Sequence, residues 1–124
     1  MSVCPFCELP ENRVVVTRHT CVAVRDLYPV TQLHTLIVPK RHAYTYFDLV
    51  DAELSDVHQM TVEIREMIES EDPEVTGFNI GWNCGESAGQ TVMHAHLHLI
   101  PRRDGDTDDP RGGVRGVIPG RQAY

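Results

Sequence analysis

Three histidines occupy alternate positions in His94-Ala95-His96-Leu97-His98, followed by Leu99-Ile100-Pro101. Strand side chains alternate between faces. A strand here therefore sends three imidazoles to one face and Ala95, Leu97 and Leu99 to the other, into a core. With an ordinary pKa of about 6.5, imidazole is largely unprotonated at neutral pH and is a good nucleophile toward phosphorus. Attack by such a ring on a phosphate gives a covalent phosphoryl-imidazole that water then cleaves, and the central ring of the three is His96. Its neighbours at i±2 stand roughly 6.5–7 Å away along a strand. They can bind phosphate oxygens or protonate a leaving group. Charge that builds on phosphate also needs donors. The loop Gly85-Glu86-Ser87-Ala88-Gly89-Gln90 offers backbone N–H groups, and Gln90 and Thr91 offer side-chain donors.

A second chemical signal is Cys4-Pro5-Phe6-Cys7. C-x-x-C spacing has three readings: a redox pair, two structural thiols, or half of a tetrahedral zinc site. A thioredoxin-like pair needs a strand before it, and only three residues precede Cys4. The other zinc ligands would have to come from elsewhere in the chain. Cys21 and Cys84 read as ordinary small residues.

The elements that position these groups follow from periodicity and punctuation. Val14–Thr17 and Thr20–Val24 are β-branched runs joined by a tight turn at Arg18-His19, a hairpin. Leu27–Thr31 reads as a loop, and His34–Val38 as a third strand stopped by Pro39. Asp51 is the expected N-cap of a helix with Glu53 in its first turn. Leu54, Val57, Thr61, Ile64 and Ile68, with Met60 and Met67, mark one face, and the helix ends before Pro73. Gly77–Asn83 and Thr91–Pro101 are the fourth and fifth strands. The order β-β-β-α-β-β is an α+β domain: a five-stranded, mostly antiparallel sheet with one main helix packed on one face. The expectation is a single domain over 1–124, with a core of 1–101 and an irregular tail of 102–124.

The chain of 124 residues can build a core without disulfide staples. Its hydrophobic fraction is 41% and its net charge −7. The charge argues against nucleic acid as a partner, and no apolar run approaches the roughly 20 residues of a membrane span. Met1-Ser2-Val3-Cys4-Pro5 has no basic flank or apolar signal core, and the cysteine spacing is not a secreted framework. A cytoplasmic protein is expected. Residues 48–74 hold ten acids and one base, a local charge of −9 that leaves the remainder at +2. The run reads as a solvated helix face.

The pattern His-φ-His-φ-His-φ-φ, with φ apolar, resembles the signature of the histidine triad (HIT) family. Gly85–Met93 resembles the segment that precedes it there. His34-Thr35-Leu36-Ile37-Val38-Pro39-Lys40-Arg41-His42 resembles that family's His-led strand ending in Pro-Lys-x-His. Val24-Arg25-Asp26-Leu27 sits where the family usually has an Asp. The resemblance implies a nucleotide hydrolase or nucleotidyl transferase of the dinucleoside polyphosphate or phosphoramidate type. It implies His96 as nucleophile, His98 on phosphate, and His34 supporting the triad from the adjacent strand. It also implies Asn83 and Gln90 on phosphates and Asp26 on ribose hydroxyls. Two acceptor oxygens suit a cis-diol, which favours ribose for Asp26 independently. Relatives with the N-terminal cysteine pair imply a structural Zn²⁺ held by Cys4, Cys7, His42 and His94. In that case the His94 ring is not a free acid or base, and its backbone carbonyl orients His96. Gly89-Gln90-Thr91-Val92 and Ile100-Pro101-Arg102 look more like the dinucleoside polyphosphate branch. The family also implies a homodimer, which would cover the edges of a five-stranded sheet. Two other functions compete: a hydrolase using His94, His96 and a third histidine as catalytic zinc ligands, and a nucleotide-binding protein whose hydrolysis is incidental. Arg111 and Arg115 read equally as phosphate contacts or as a surface loop.

Overall fold

A computed structural model describes residues 4–124; the signal-sequence reading of Met1, Ser2 and Val3 lies outside the described residues. Strands β1 (Val14–Thr17), β2 (Cys21–Arg25), β3 (Thr35–Pro39), β4 (Val75–Trp82) and β5 (Leu97–Arg103) form one sheet, with helix α1 (Asp51–Glu71) between β3 and β4. The strand order is β1-β2-β3-β5-β4, with every neighbouring pair antiparallel. The α+β class, element order and main helix agree with the sequence reading.

Alternation gives the sheet two distinct faces. Cys21, Ala23, Ile37, Leu97 and Leu99 point to one face and pack under Val57, Met60, Ile64 and Ile68 of α1. Val24, Leu36 and Val38 point to the other, where Phe6 and Leu9 of the N-terminal segment cover them. Leu36 pairs with His98 across β3 and β5, and Gly81 pairs with His98 across β4 and β5. The face away from the helix therefore carries the chemistry.

Three details differ from the sequence reading. The fifth strand begins at Leu97 and runs to Arg103, so His94 and His96 precede it. Residues 91–96 lack a sheet neighbour, and Ala95 N–H instead donates to Ala43 O at 2.8 Å. Asp51 is the first helical residue and not the cap; Val50 occupies that position, and its N–H donates to Glu53 Oε1 at 3.0 Å. Met67 lies exposed, off the packed face.

The acidic run is also not simply solvated. Asp56 takes Arg18 at 2.8 Å, Glu53 takes Arg41 at 2.8 Å and Asp72 takes Arg103 at 2.8 Å. Each pair ties the helix or its end to a basic residue from outside the run. Burial opposes ionisation of the Asp56 carboxyl. Hydrogen bonds from Arg18, the Thr20 N–H and the Thr20 hydroxyl outweigh it and hold the pKa down to about 2. A depressed folded-state pKa means the unfolded chain binds the proton more readily. The stabilisation, on the order of 2 kcal/mol, is full above about pH 4 and is lost as pH falls toward 2. Asp56→Asn is expected to lower stability by about 2 kcal/mol at neutral pH and to flatten the acid limb of a pH-dependent urea denaturation series.

Candidate active site and metal cluster

A cavity of about 950 Å³ opens on the sheet face opposite the helix, with Leu36, His98, Ile100, Gly81 and Asn79 among its lining residues. His34, His96, Asp26, Asn83, Gln90 and Thr91 line it too. His94 does not. It is fully buried beside the N-terminal cysteines, so the expectation of three rings facing one site is corrected: two of the three reach the cavity.

Hydrogen-bond partners assign the ring protons. His94 Nε2–H donates to Pro39 O at 2.7 Å, which leaves a lone pair on Nδ1. His96 Nδ1–H donates to His94 O at 2.8 Å, which leaves the lone pair on Nε2. His34 Nδ1 accepts the Val30 N–H at 3.0 Å, so its proton sits on Nε2. That proton is donated to His98 Nδ1 at 3.0 Å, with Asp26 Oδ2 3.4 Å away. His98 therefore keeps its own proton on Nε2. A reversed turn aims His34: Leu33 adopts φ 73°, a left-handed conformation, and His34 N–H donates back to Thr31 O at 3.2 Å. Burial, then the neighbouring His96 and His34, push the His98 pKa down to about 4. Burial also lowers His34, opposed by Asp26. His98 is thus neutral at physiological pH and offers a fixed N–H.

The glycine loop is organised differently from the sequence expectation. Its N–H groups at Ala88, Gly89 and Gln90 donate to carbonyls of the same loop, and Gly85 N–H donates to Gln90 Oε1 at 2.8 Å. Gly85 and Gly89 carry φ 95° and 91°, which closes the turn. The Gln90 amide donates to Tyr44 O at 2.7 Å and Val92 O at 3.1 Å. In this structure Gln90 holds the loop, while the exposed Asn83 and Thr91 border the cavity with free side chains. One carboxylate oxygen of Asp26 accepts the Tyr28 N–H at 2.9 Å. The other points toward His34.

Cys4 Sγ, Cys7 Sγ, His42 Nδ1 and His94 Nδ1 all lie within 4.8 Å of one another. Cys4 to His94 is 3.3 Å, Cys7 to His94 is 3.5 Å, Cys7 to His42 is 3.1 Å and His42 to His94 is 3.1 Å. A tetrahedron with ordinary zinc–sulfur and zinc–nitrogen bonds has N···N and S···N edges of about 3.3 and 3.6 Å. The donor set and its spacing fit zinc, and the Pro39 carbonyl fixes the His94 tautomer with Nδ1 toward the ligands, as an outer partner does at such sites. Among the described residues, no convergence of ligand atoms includes both His94 and His96. His94 Nδ1 turns to the cysteines while His96 Nδ1 is tied to the His94 carbonyl, an arrangement that does not favour the reading of a catalytic metal gripped by those two histidines.

Sequence reasoning missed Phe6, whose ring packs 4.8 Å from His96. It also left the tail unassigned. Gly113, Val114, Gly116, Val117 and Gln122 line the cavity, whereas Arg111 pairs with Asp109 and Arg115 bonds Gln122 O and stacks on Tyr124. Both arginines singled out in the sequence, Arg111 and Arg115, thus find their partners within the tail. Absence of periodicity hid this, since the segment is held by turns and not by a repeating face.

Comparison with known proteins gives a concordant result. The HIT domain description matches residues 8–105. An adenosine 5'-monophosphoramidase of Candida albicans is 33% identical over 82% of this chain and 71% of its own length. An AP-4-A phosphorylase of Mycobacterium tuberculosis is 36% identical over 84% of this chain, which spans only 56% of that protein. Among solved structures, a HIT family protein from Bacillus anthracis superposes with TM-score 0.76 at 37% identity, covering 82% of this chain and 74% of that one. A Zn-bound histidine triad family protein from Mycobacterium smegmatis has TM-score 0.70 at 31% identity, covering 76% of this chain and 68% of that one.

Proposed function

Because the chain belongs to the HIT domain family, we propose that it cleaves nucleotide conjugates at the α-phosphate through a covalent nucleotidyl-His96 intermediate. The observation that carries this reading is the His96 ring: Nδ1–H is tied to the His94 carbonyl and the ring lines the cavity. Attack by Nε2 forms an N–P bond as the bond from phosphorus to the leaving group breaks. The His94 carbonyl stabilises the positive charge that develops on the ring. His98 Nε2–H is a donor for a phosphate oxygen or the leaving group, and His34 and Asp26 fix its tautomer. Water then attacks phosphorus, the N–P bond breaks, and the ring returns to neutral. Asn83 and Thr91 are assigned to phosphate oxygens, Asp26 to the ribose hydroxyls, and Gln90 to the loop that presents them.

Zinc bound by Cys4, Cys7, His42 and His94 would leave no open coordination position, and it would supply rigidity rather than an activated water. Dinucleoside polyphosphates are the favoured substrates, with nucleoside phosphoramidates second. The Thr91-Val92 and Ile100-Pro101-Arg102 sequences support the first, and the relatives include enzymes named for each class. The tail belongs to the same domain in this reading, supported by its residues in the cavity wall. A homodimer in the cytoplasm completes it; the dimer is supported by β1 and β4, which end the sheet with no further strand beside them among the described residues. Among the described residues, no helix is long and apolar enough to cross a membrane.

The direct test is to incubate the protein with diadenosine tetraphosphate and, separately, adenosine 5'-phosphoramidate, and to follow AMP-containing products. Turnover of either supports the reading; inertness toward both contradicts it. Gly81 gives a sharper check. It faces the cavity opposite His98, a Cβ there would meet nothing within 4 Å, and its φ is not positive. Gly81→Val should therefore fold normally in its strand and fill space beside His98. kcat/KM is expected to fall about tenfold or more, with Tm unchanged or raised.

A further inference from the structure

Phe6 lies between the two thiols of Cys4-Pro5-Phe6-Cys7. Its ring stands edge-on to His94 at 5.9 Å and lies 4.8 Å from His96. It lines the cavity, and with Leu9 it packs on Val24, Leu36 and Val38. One side chain thus touches a metal-ligand ring, the nucleophilic ring and the nucleotide cavity.

Little else holds the segment that carries it. Among the described residues, the backbone bonds of residues 4–10 are local: Cys7 N–H to Cys4 O at 3.2 Å, and Arg13 N–H to Pro10 O at 3.0 Å. None reaches the sheet. The segment is fastened by two apolar side chains and by the cysteine–histidine cluster. Two of the cluster's ligands belong to the segment; His42 and His94 belong to the body of the domain. Closing the cluster therefore pins both flanks of Phe6.

We propose that zinc at Cys4, Cys7, His42 and His94 controls nucleotide binding by seating Phe6 in the cavity wall, so that zinc and nucleotide bind cooperatively. The inference rests on the nucleotide reading above. Without the metal, the segment samples open positions, and apparent affinity falls in proportion to the seated fraction. Linkage requires the converse: a bound nucleotide must raise zinc affinity by the same factor. Phe6 is a positioning residue in this scheme. It transmits the state of the metal cluster to the cavity without taking part in bond making.

Calorimetric titration tests it with no turnover measured. AMP is titrated into zinc-loaded protein and into protein stripped with a chelator. Zn²⁺ is titrated into stripped protein with and without saturating AMP. Stripping is expected to weaken AMP about tenfold or more, and AMP to tighten zinc by an equal factor. Phe6→Ala should bind AMP weakly whether or not zinc is present. Its zinc affinity without AMP should match wild type. Phe6→Tyr should restore the coupling, and Leu9→Ala, which leaves the cavity wall intact, should retain it. Circular dichroism establishes that each variant is folded. AMP affinity indifferent to zinc in the wild type, or coupling that persists in Phe6→Ala, overturns the inference alone. Failure of AMP to bind either form overturns the nucleotide reading and this inference with it.

Discussion

His96→Ala is expected to lower release of AMP-containing products by about 10⁴-fold or more, with Tm within a few degrees of wild type. The ring is half-buried in a cavity wall and its one hydrogen bond is to the His94 carbonyl. Its removal opens space without stranding a buried charge, so stability changes little. The chemistry has no substitute. His94 presents its free nitrogen to the cysteines, and His98 uses Nδ1 to accept from His34. Neither has a lone pair facing the cavity. His98→Ala should cost less, because it removes a donor to phosphate and leaves the nucleophile. Steady-state rates paired with thermal melts separate these outcomes. A folded His96→Ala protein that turns over at a wild-type rate would end the nucleophile assignment.

Zinc removal carries the second large effect, on stability. At free zinc a thousandfold above its Kd, linkage stabilises the folded state by about 4 kcal/mol. For a domain of this size that corresponds to a Tm fall of about 10–15 °C on chelation. Cys7→Ser should give a similar loss and no further response to chelator. Both thiols belong to a segment that, among the described residues, makes no backbone bond to the sheet, so the loss begins with that segment. It then exposes Val24, Leu36 and Val38. Metal analysis and differential scanning calorimetry of loaded and stripped protein decide the matter. A protein that binds no zinc, or whose Tm ignores it, contradicts the ligand set.

Much of the fold was legible because its signals are local. The β-branched runs at 14–17 and 20–24, the apolar spacing from Val57 to Ile68, and Pro73 gave elements within a residue or two of those observed. His98 and Leu99 reveal their opposite faces through simple alternation, and the burial of Ala95 and Leu97 follows it. The start of β5 was not legible. Whether residues 91–96 pair depends on where β4 ends and on a loop carbonyl at Ala43, both distant in sequence. The same holds for the acids of α1. Composition marks Glu53 and Asp56 as solvent-facing, and only the fold brings Arg41 and Arg18 to them. Gln90 looked like a ligand donor because its type permits it, yet its amide is consumed by carbonyls of Tyr44 and Val92. Phe6 was hidden by the cysteines on either side of it. The tail, with no period to read, gave no sign that Val114 and Val117 would line the cavity.

The most direct measurement is to trap the intermediate. Protein is mixed with diadenosine tetraphosphate labelled at the α-phosphate, quenched in base within a turnover, digested, and the labelled peptide sequenced by mass spectrometry. The account predicts one acid-labile, base-stable adenylyl adduct, on His96, absent from His96→Ala. Turnover with no labelled protein, or label on another residue in correctly folded enzyme, would contradict it.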